Sequence, residues 1–116
     1  MPKIQTNGIE LYYEVHGAGK PLVLISGLGY SLWQWHRMVP YLAERFQVVV
    51  FDNRGVGQSD KPQGPYTSAM MADDYAGLMD ALGIKKAHIV GCSMGGIIAQ
   101  QLALRHPDKV KSCILM

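Results

Sequence analysis

A chain of 116 residues has room for one domain with a real core and no more, and 48% hydrophobic against 17% charged residues is the balance of a folded protein rather than a disordered one. The formal net charge of +2 comes from Lys and Arg scattered along the sequence, with only Lys85-Lys86 and Lys109/Lys111 close together, so no nucleic-acid footprint is read and no nucleic-acid partner expected. Met1 to Gln5 lacks the apolar core of a secretory signal and no apolar run approaches the length of a membrane span, so no membrane partner is expected and the expected compartment is the cytoplasm.

Taken in chain order, the pattern is an opening hairpin-like segment followed by alternating strands and helices. Ile9 to Val15 alternates like a strand near a sheet edge, between the Asn7-Gly8 turn signal and Gly17-Ala18-Gly19. Pro21 to Ser26 is a continuous apolar run, as strands show when helices cover both faces. A loop and short helix then run through Leu32, Trp35 and Val39, with Pro40 forcing a break or a new start. Phe46 to Phe51 is a second buried strand, and residues 52–60 form a loop. Thr67 is the expected N-cap of a helix whose apolar positions Met71, Tyr75, Leu78, Met79 and Leu82 recur at helical spacing until Gly83 ends it. Ala87 to Val90 is a third buried strand, a helix carrying Met94, Ile98, Gln101 and Leu102 runs to Pro107, and Val110 to Met116 is the last strand. The two cysteines, Cys92 and Cys113, are expected buried as free thiols, and neither has metal-ligand spacing. The fold class that results is α/β, a mostly parallel sheet flanked by helices.

The chemistry concentrates at Gly91-Cys92-Ser93-Met94-Gly95-Gly96, where a β-branched run enters Gly-x-Ser-x-Gly and a helical pattern leaves it. For its oxygen to stand clear of the sheet as a nucleophile, Ser93 must occupy a cramped strand-to-helix turn with φ above zero, and Gly91 and Gly95 leave room for that turn. Gly96 is expected to let the helix start close to the strands. The backbone N–H of Met94 then lies at the helix N-terminus, where a developing oxyanion can be held. A serine hydroxyl also needs a base and an acid, which in this arrangement follow it in the chain, yet only 23 residues come after Ser93, enough for one helix and one strand.

Other readings of the same residues are blander. The spacing of Gly91, Gly95 and Gly96 fits neither a dinucleotide fingerprint nor a Walker loop, and no cofactor or metal is expected. His16, His36, His88 and His106 each have a structural place, with His36 the best of them as an in-chain base because it follows the Gly27-Leu28-Gly29 loop. Asp52 beside Arg54 is expected to fix its own loop rather than to catalyse. Tyr30, Trp33 and Trp35 read as helix packing before acyl-pocket lining, and Cys92 as a small packing residue.

Three segments in order, Asp52 to Asp60 (Asp-Asn-Arg-Gly-Val-Gly-Gln-Ser-Asp), Gly91 to Gln100 and Arg105 to Val110, resemble the α/β-hydrolase fold family, and specifically the first half of its catalytic domain. The resemblance covers the whole chain and is strongest to serine esterases and enol-lactone hydrolases. It implies Ser93 as nucleophile, with the N–H groups of Leu28 and Met94 as the oxyanion hole and an ester or lactone as substrate. Ser26 stands where the family commonly has His, a departure that leaves backbone donors intact. It further implies that residues 1–116 are the N-terminal half of such a domain, a partial fold ending after the strand that follows the elbow helix, with acid and His in the other half. A chain so cut leaves Cys113 to Met116 as an apolar edge strand, so a homo-oligomer through that edge is expected. The rival expectation is a non-catalytic half-domain that self-associates as an assembly module.

Overall fold

The most apolar run of the sequence becomes the centre of the sheet. In the computed structural model, which describes residues 3–116, β3 (Lys20–Ile25) lies between β4 (Phe46–Phe51) and β5 (Ala87–Gly91), parallel to both. Met1 and Pro2, part of the N-terminus read as lacking a signal, lie outside the described residues. β6 (Val110–Leu115) adds in parallel beyond β5, and β1 (Lys3–Thr6) and β2 (Ile9–His16) add antiparallel beyond β4, giving the order β1-β2-β4-β3-β5-β6. The opening hairpin turns on Asn7 (φ 51°) and Gly8 (φ 81°), the left-handed pair that a two-residue turn requires when its strands twist normally.

Strand alternation divides the core in two. Leu11, Val23, Ile25, Val49, Phe51 and Ile89 face one side, where they are covered by α2 (Ser68–Ala81) and α3 (Met94–Arg105). Leu22, Leu24, Val48, Val50 and Val90 face the other, where Trp35 and Val39 pack on them from a 3₁₀ turn (Leu32–Trp35) and a single helical turn, α1 (Val39–Leu42). Pro40 therefore starts a new helical turn instead of ending one. The second face is thinly covered, and an apolar groove of about 250 Å³ stays open between Leu24, Leu42, Phe46, Val90 and Ile114.

Local signals act as expected for α2. The Thr67 side chain accepts from the Met70 N–H, and Gly83 takes φ 74° just past the end. Pro107 stops α3 as expected, and a 3₁₀ turn, Pro107–Lys109, leads into β6 while His106 is tied by its side chain to Asp73 (2.8 Å), which also pairs with Arg105. One expectation needs correction. Cys113 is exposed rather than buried, because β6 is an edge strand on which nothing packs at that point, whereas Cys92 is partly buried. Among the described residues no helix is long and apolar enough to cross a membrane.

Candidate active site

The turn between β5 and α3 carries the unusual backbone of this chain. Ser93 sits at φ 56°, ψ −118°, one of two non-glycine residues with positive φ among those described, and its side chain is exposed. A residue with a Cβ adopts that conformation only under constraint, and the constraints are visible. The Ser93 N–H donates to Met116 O (3.1 Å), the Met116 N–H donates to Gly91 O (2.9 Å), and the Gly95 and Gly96 N–H groups donate back to Cys92 O (2.8 Å) and Ser93 O (2.9 Å). A Cβ on Gly91 would lie 2.7 Å from the Gly96 nitrogen and closer to the Gly95 carbonyl, and one on Gly95 would lie 2.8 Å from the Ile25 carbonyl carbon. These two glycines are obligatory for the turn. Gly96 is not: a Cβ there meets nothing nearer than 3.5 Å, ordinary contact, so the expectation that it is needed for close approach is overturned.

Across from Ser93 runs the loop after β3. A Cβ built on Gly27 would be 3.6 Å from the Ser93 Cβ, which puts the Gly27-Leu28 segment against the turn. Three side chains fix this segment. Gln34 accepts from the Gly27 N–H through Oε1 (2.9 Å) and reaches the Cys92 Sγ through Nε2 (3.3 Å), bridging the two loops. Trp35 donates from Nε1 to the Ser26 Oγ (3.1 Å), and that hydroxyl donates to Ser31 O (3.3 Å), so the serine at this departure from the family pattern is a fully buried packing and hydrogen-bonding group. Asn53 holds Ser26 O (3.3 Å) and is itself fixed by the Tyr75 hydroxyl (2.6 Å), whose burial pushes its pKa well above the usual phenol value. Among the described residues the N–H groups of Leu28 and Met94 have no hydrogen-bond partner.

Asp52 and Arg54 are near neighbours in sequence with separate jobs. Asp52 accepts from the N–H groups of Leu32 (2.8 Å) and Gln58 (2.9 Å), fixing its own loop as expected. Arg54 forms a two-pronged pair with Asp74 (2.7 and 2.8 Å) at 7% and 1% exposure, and hydrogen bonding to Asp74 raises the guanidinium pKa above its already high value. Sequence spacing gave no sign of this partner, 20 residues away.

The four imidazoles are engaged elsewhere: His16 with Glu14, His36 stacked on Trp33 and bonded to its carbonyl, His88 with Ser112, and His106 with Asp73. Beside the loops lies a mostly apolar cleft of about 420 Å³ lined by Leu28, Val56, Tyr66, Met71, Met94 and Ile97. The aromatic residues of the 30–35 segment do not form it. Trp35 is buried as packing, whereas Tyr30 and Trp33 are exposed, which corrects the packing expectation for those two.

The profile of the alpha/beta hydrolase fold family matches residues 20–116. RutD of Azorhizobium caulinodans, whose name designates a candidate carbamate hydrolase, is 40% identical over 116 residues, covering 100% of this chain and 44% of its own length. The structure of a hydrolase from Pseudomonas aeruginosa matches with TM-score 0.95 at 38% identity, over 98% of this chain and 44% of that one. An enol-lactonase from Burkholderia xenovorans matches with TM-score 0.93 at 39% identity, over 97% of this chain and 45% of its own. The chain thus spans less than half the length of the relatives it matches.

Proposed function

Because the chain belongs to the α/β-hydrolase fold family, we propose that it carries the nucleophile and oxyanion hole of a serine hydrolase acting on an ester or lactone. The observation that carries this reading is the backbone of Ser93, held at φ 56° between a strand and a helix with its side chain exposed. Strain of that kind persists only where the surroundings enforce it, and it serves to present an oxygen. Ser93 Oγ attacks the acyl carbonyl, the carbonyl oxygen takes the electron pair, and the N–H groups of Leu28 and Met94 receive the charge. Collapse expels the alcohol, which leaves with the proton taken from Ser93 by the base, and an acyl-serine remains, which water hydrolyses. The cleft beside Leu28 and Met94 takes the apolar part of the substrate. Relatives named for carbamate and enol-lactone hydrolysis support a carbonyl substrate.

The base that accepts the Ser93 proton is supplied from outside these 116 residues, since each in-chain imidazole is bonded elsewhere and none to Ser93. The 116-residue chain alone is therefore expected to hydrolyse p-nitrophenyl acetate slowly, at the residual level of roughly 10³–10⁴ over water that an oxyanion hole leaves when a triad is incomplete. Titrating it with the separately produced C-terminal half of a matched hydrolase is expected to restore turnover that Ser93→Ala abolishes. Tight association of the halves without Ser93-dependent turnover refutes the assignment of Ser93, and rapid turnover by the chain alone refutes the external base. Until such a partner is bound, we propose that the chain self-associates through β6, where Ile114, Leu115 and the following Met116 are all more than half exposed. A stable monomer by light scattering at micromolar concentration refutes that.

A further inference from the structure

Lys20, Lys86 and Lys111 are far apart in sequence, and parallel strands bring them together. Lys20 opens β3, Lys86 immediately precedes β5, and Lys111 is the second residue of β6, so all three stand at the same end of three adjacent strands, the end opposite the Ser93 turn. They line a cleft of about 400 Å³ whose remaining walls are Pro21, Ala87 and His88, and no carboxylate is among its lining residues. Among the described residues none of the three lysines is in an ion pair, whereas Lys3, Lys109, Arg54 and Arg105 all are.

Two details shape this cleft beyond a chance gathering of charge. The pairing of β5 with β6 steps from Ala87↔Val110 to His88↔Ser112, so Lys111 is the extra residue of a β-bulge, the device by which a strand re-aims a side chain out of its normal alternation. His88 is oriented as well. Its Nδ1 is bonded to Ser112 Oγ (2.6 Å) and its ring lies steeply inclined to that of Phe46, so the imidazole is held between this cleft and the apolar groove that it also lines.

We propose that this cleft is an anion site for a phosphate-type ligand, a compact oxyanion of two or more charges, held by the ammonium groups of Lys20, Lys86 and Lys111, with the imidazole of His88 as part of its wall. It is separate from the hydrolytic site and does not depend on it. Three mobile point charges with no fixed fork suit a small, multiply charged oxyanion better than a planar carboxylate, for which arginine is the usual choice.

The test is calorimetric and NMR titration of the 116-residue chain with pyrophosphate and with inorganic phosphate at low ionic strength. Saturable one-site binding is expected, tighter for pyrophosphate and weakening as salt rises. Lys86→Gln and Lys111→Gln should each weaken it at least about fivefold, the effect of about 1 kcal/mol for a single pair of unit charges near contact distance in water. Arg37→Gln removes the same charge from an exposed position elsewhere and should leave affinity unchanged. Amide shifts confined to residues 20, 86–88 and 111–112 confirm the place. The proposal is overturned if binding does not saturate, if Arg37→Gln weakens it as much as the lysine variants, or if the shifts centre on the Ser93 turn. Substitution of exposed lysines leaves the core intact, and the same NMR spectra verify that each variant is folded.

Discussion

Replacing Ser93 by glycine should make the protein more stable. At φ 56°, ψ −118° the Ser93 Cβ crowds its own backbone, and residues held in such regions carry about 1–3 kcal/mol of strain. Glycine relieves that strain but gains freedom in the unfolded chain, which opposes it by about 0.5–1 kcal/mol. The net is a stabilisation of about 1 kcal/mol. Ser93→Ala isolates the effect, because it removes the exposed hydroxyl and keeps the Cβ, so it should fall within about 0.5 kcal/mol of the parent. Urea unfolding followed by Trp35, which is 2% exposed in the folded chain, reads all three proteins. With a slope of about 1.5 kcal/mol per molar urea, the glycine variant's midpoint should lie about 0.7 M above those of serine and alanine. Elsewhere in a folded chain, alanine to glycine lowers stability. If the glycine variant is less stable than the alanine variant here too, Ser93 is not held in a left-handed turn and the geometric basis for a presented nucleophile fails.

The neighbouring glycines give a sharper contrast within one motif. Gly91→Ala and Gly95→Ala should each lower stability by about 1–3 kcal/mol through backbone overpacking, whereas Gly96→Ala should be neutral or stabilise by up to about 1 kcal/mol through helix propensity, all read by the same urea unfolding. Arg54→Ala should lower stability by about 3–5 kcal/mol because it strands Asp74 at 1% exposure, and adding Asp74→Leu should recover part of that loss in a double-mutant cycle. Hydrogen bonding to Arg105, and then to His106, holds the Asp73 carboxyl below its ordinary value of 3.8. A carboxylate whose pKa is lowered by folding contributes stability above its unfolded value and loses it as pH falls through the folded one, so the stability gap between the parent and Asp73→Asn should close below about pH 4, and a gap constant from pH 6 to pH 2 refutes the assignment.

Local rules carried the sequence reading as far as they reach. The apolar runs at 21–26, 46–51 and 87–90 became buried strands because a continuous run has no polar face to turn to solvent, and Thr67 and Gly83 bounded α2 because a cap and a left-handed terminus are decided within a few residues. The strained turn at Ser93 was legible for the same reason, since Gly91 and Gly95 are spaced by the turn itself. What was not legible depends on topology. Cys113 looks like a core residue in an apolar stretch, and only the strand order, which places β6 at the edge, exposes it. Arg54 appears to belong with Asp52 until α2 brings up Asp74.

The support of the site is likewise nonlocal. No spacing rule marks Gln34, Asn53 or Tyr75, yet these residues hold the Ser26-Gly27 backbone that faces Ser93. They come from a 3₁₀ turn, the loop after β4 and α2, so the Gly27-Leu28 segment is positioned by elements already packed on both faces of the sheet. A nucleophile turn tied to β3 through Cys92 N–H···Ile25 O, and a facing loop tied to the same strand, share one rigid base. Both halves of the proposed oxyanion hole therefore rest on hydrogen bonds made within the described residues, none of them to an imidazole. This is why the proposed chemistry separates into a pair of backbone N–H donors for the oxyanion and a proton acceptor delivered from elsewhere, and why complementation by a second polypeptide is the decisive measurement.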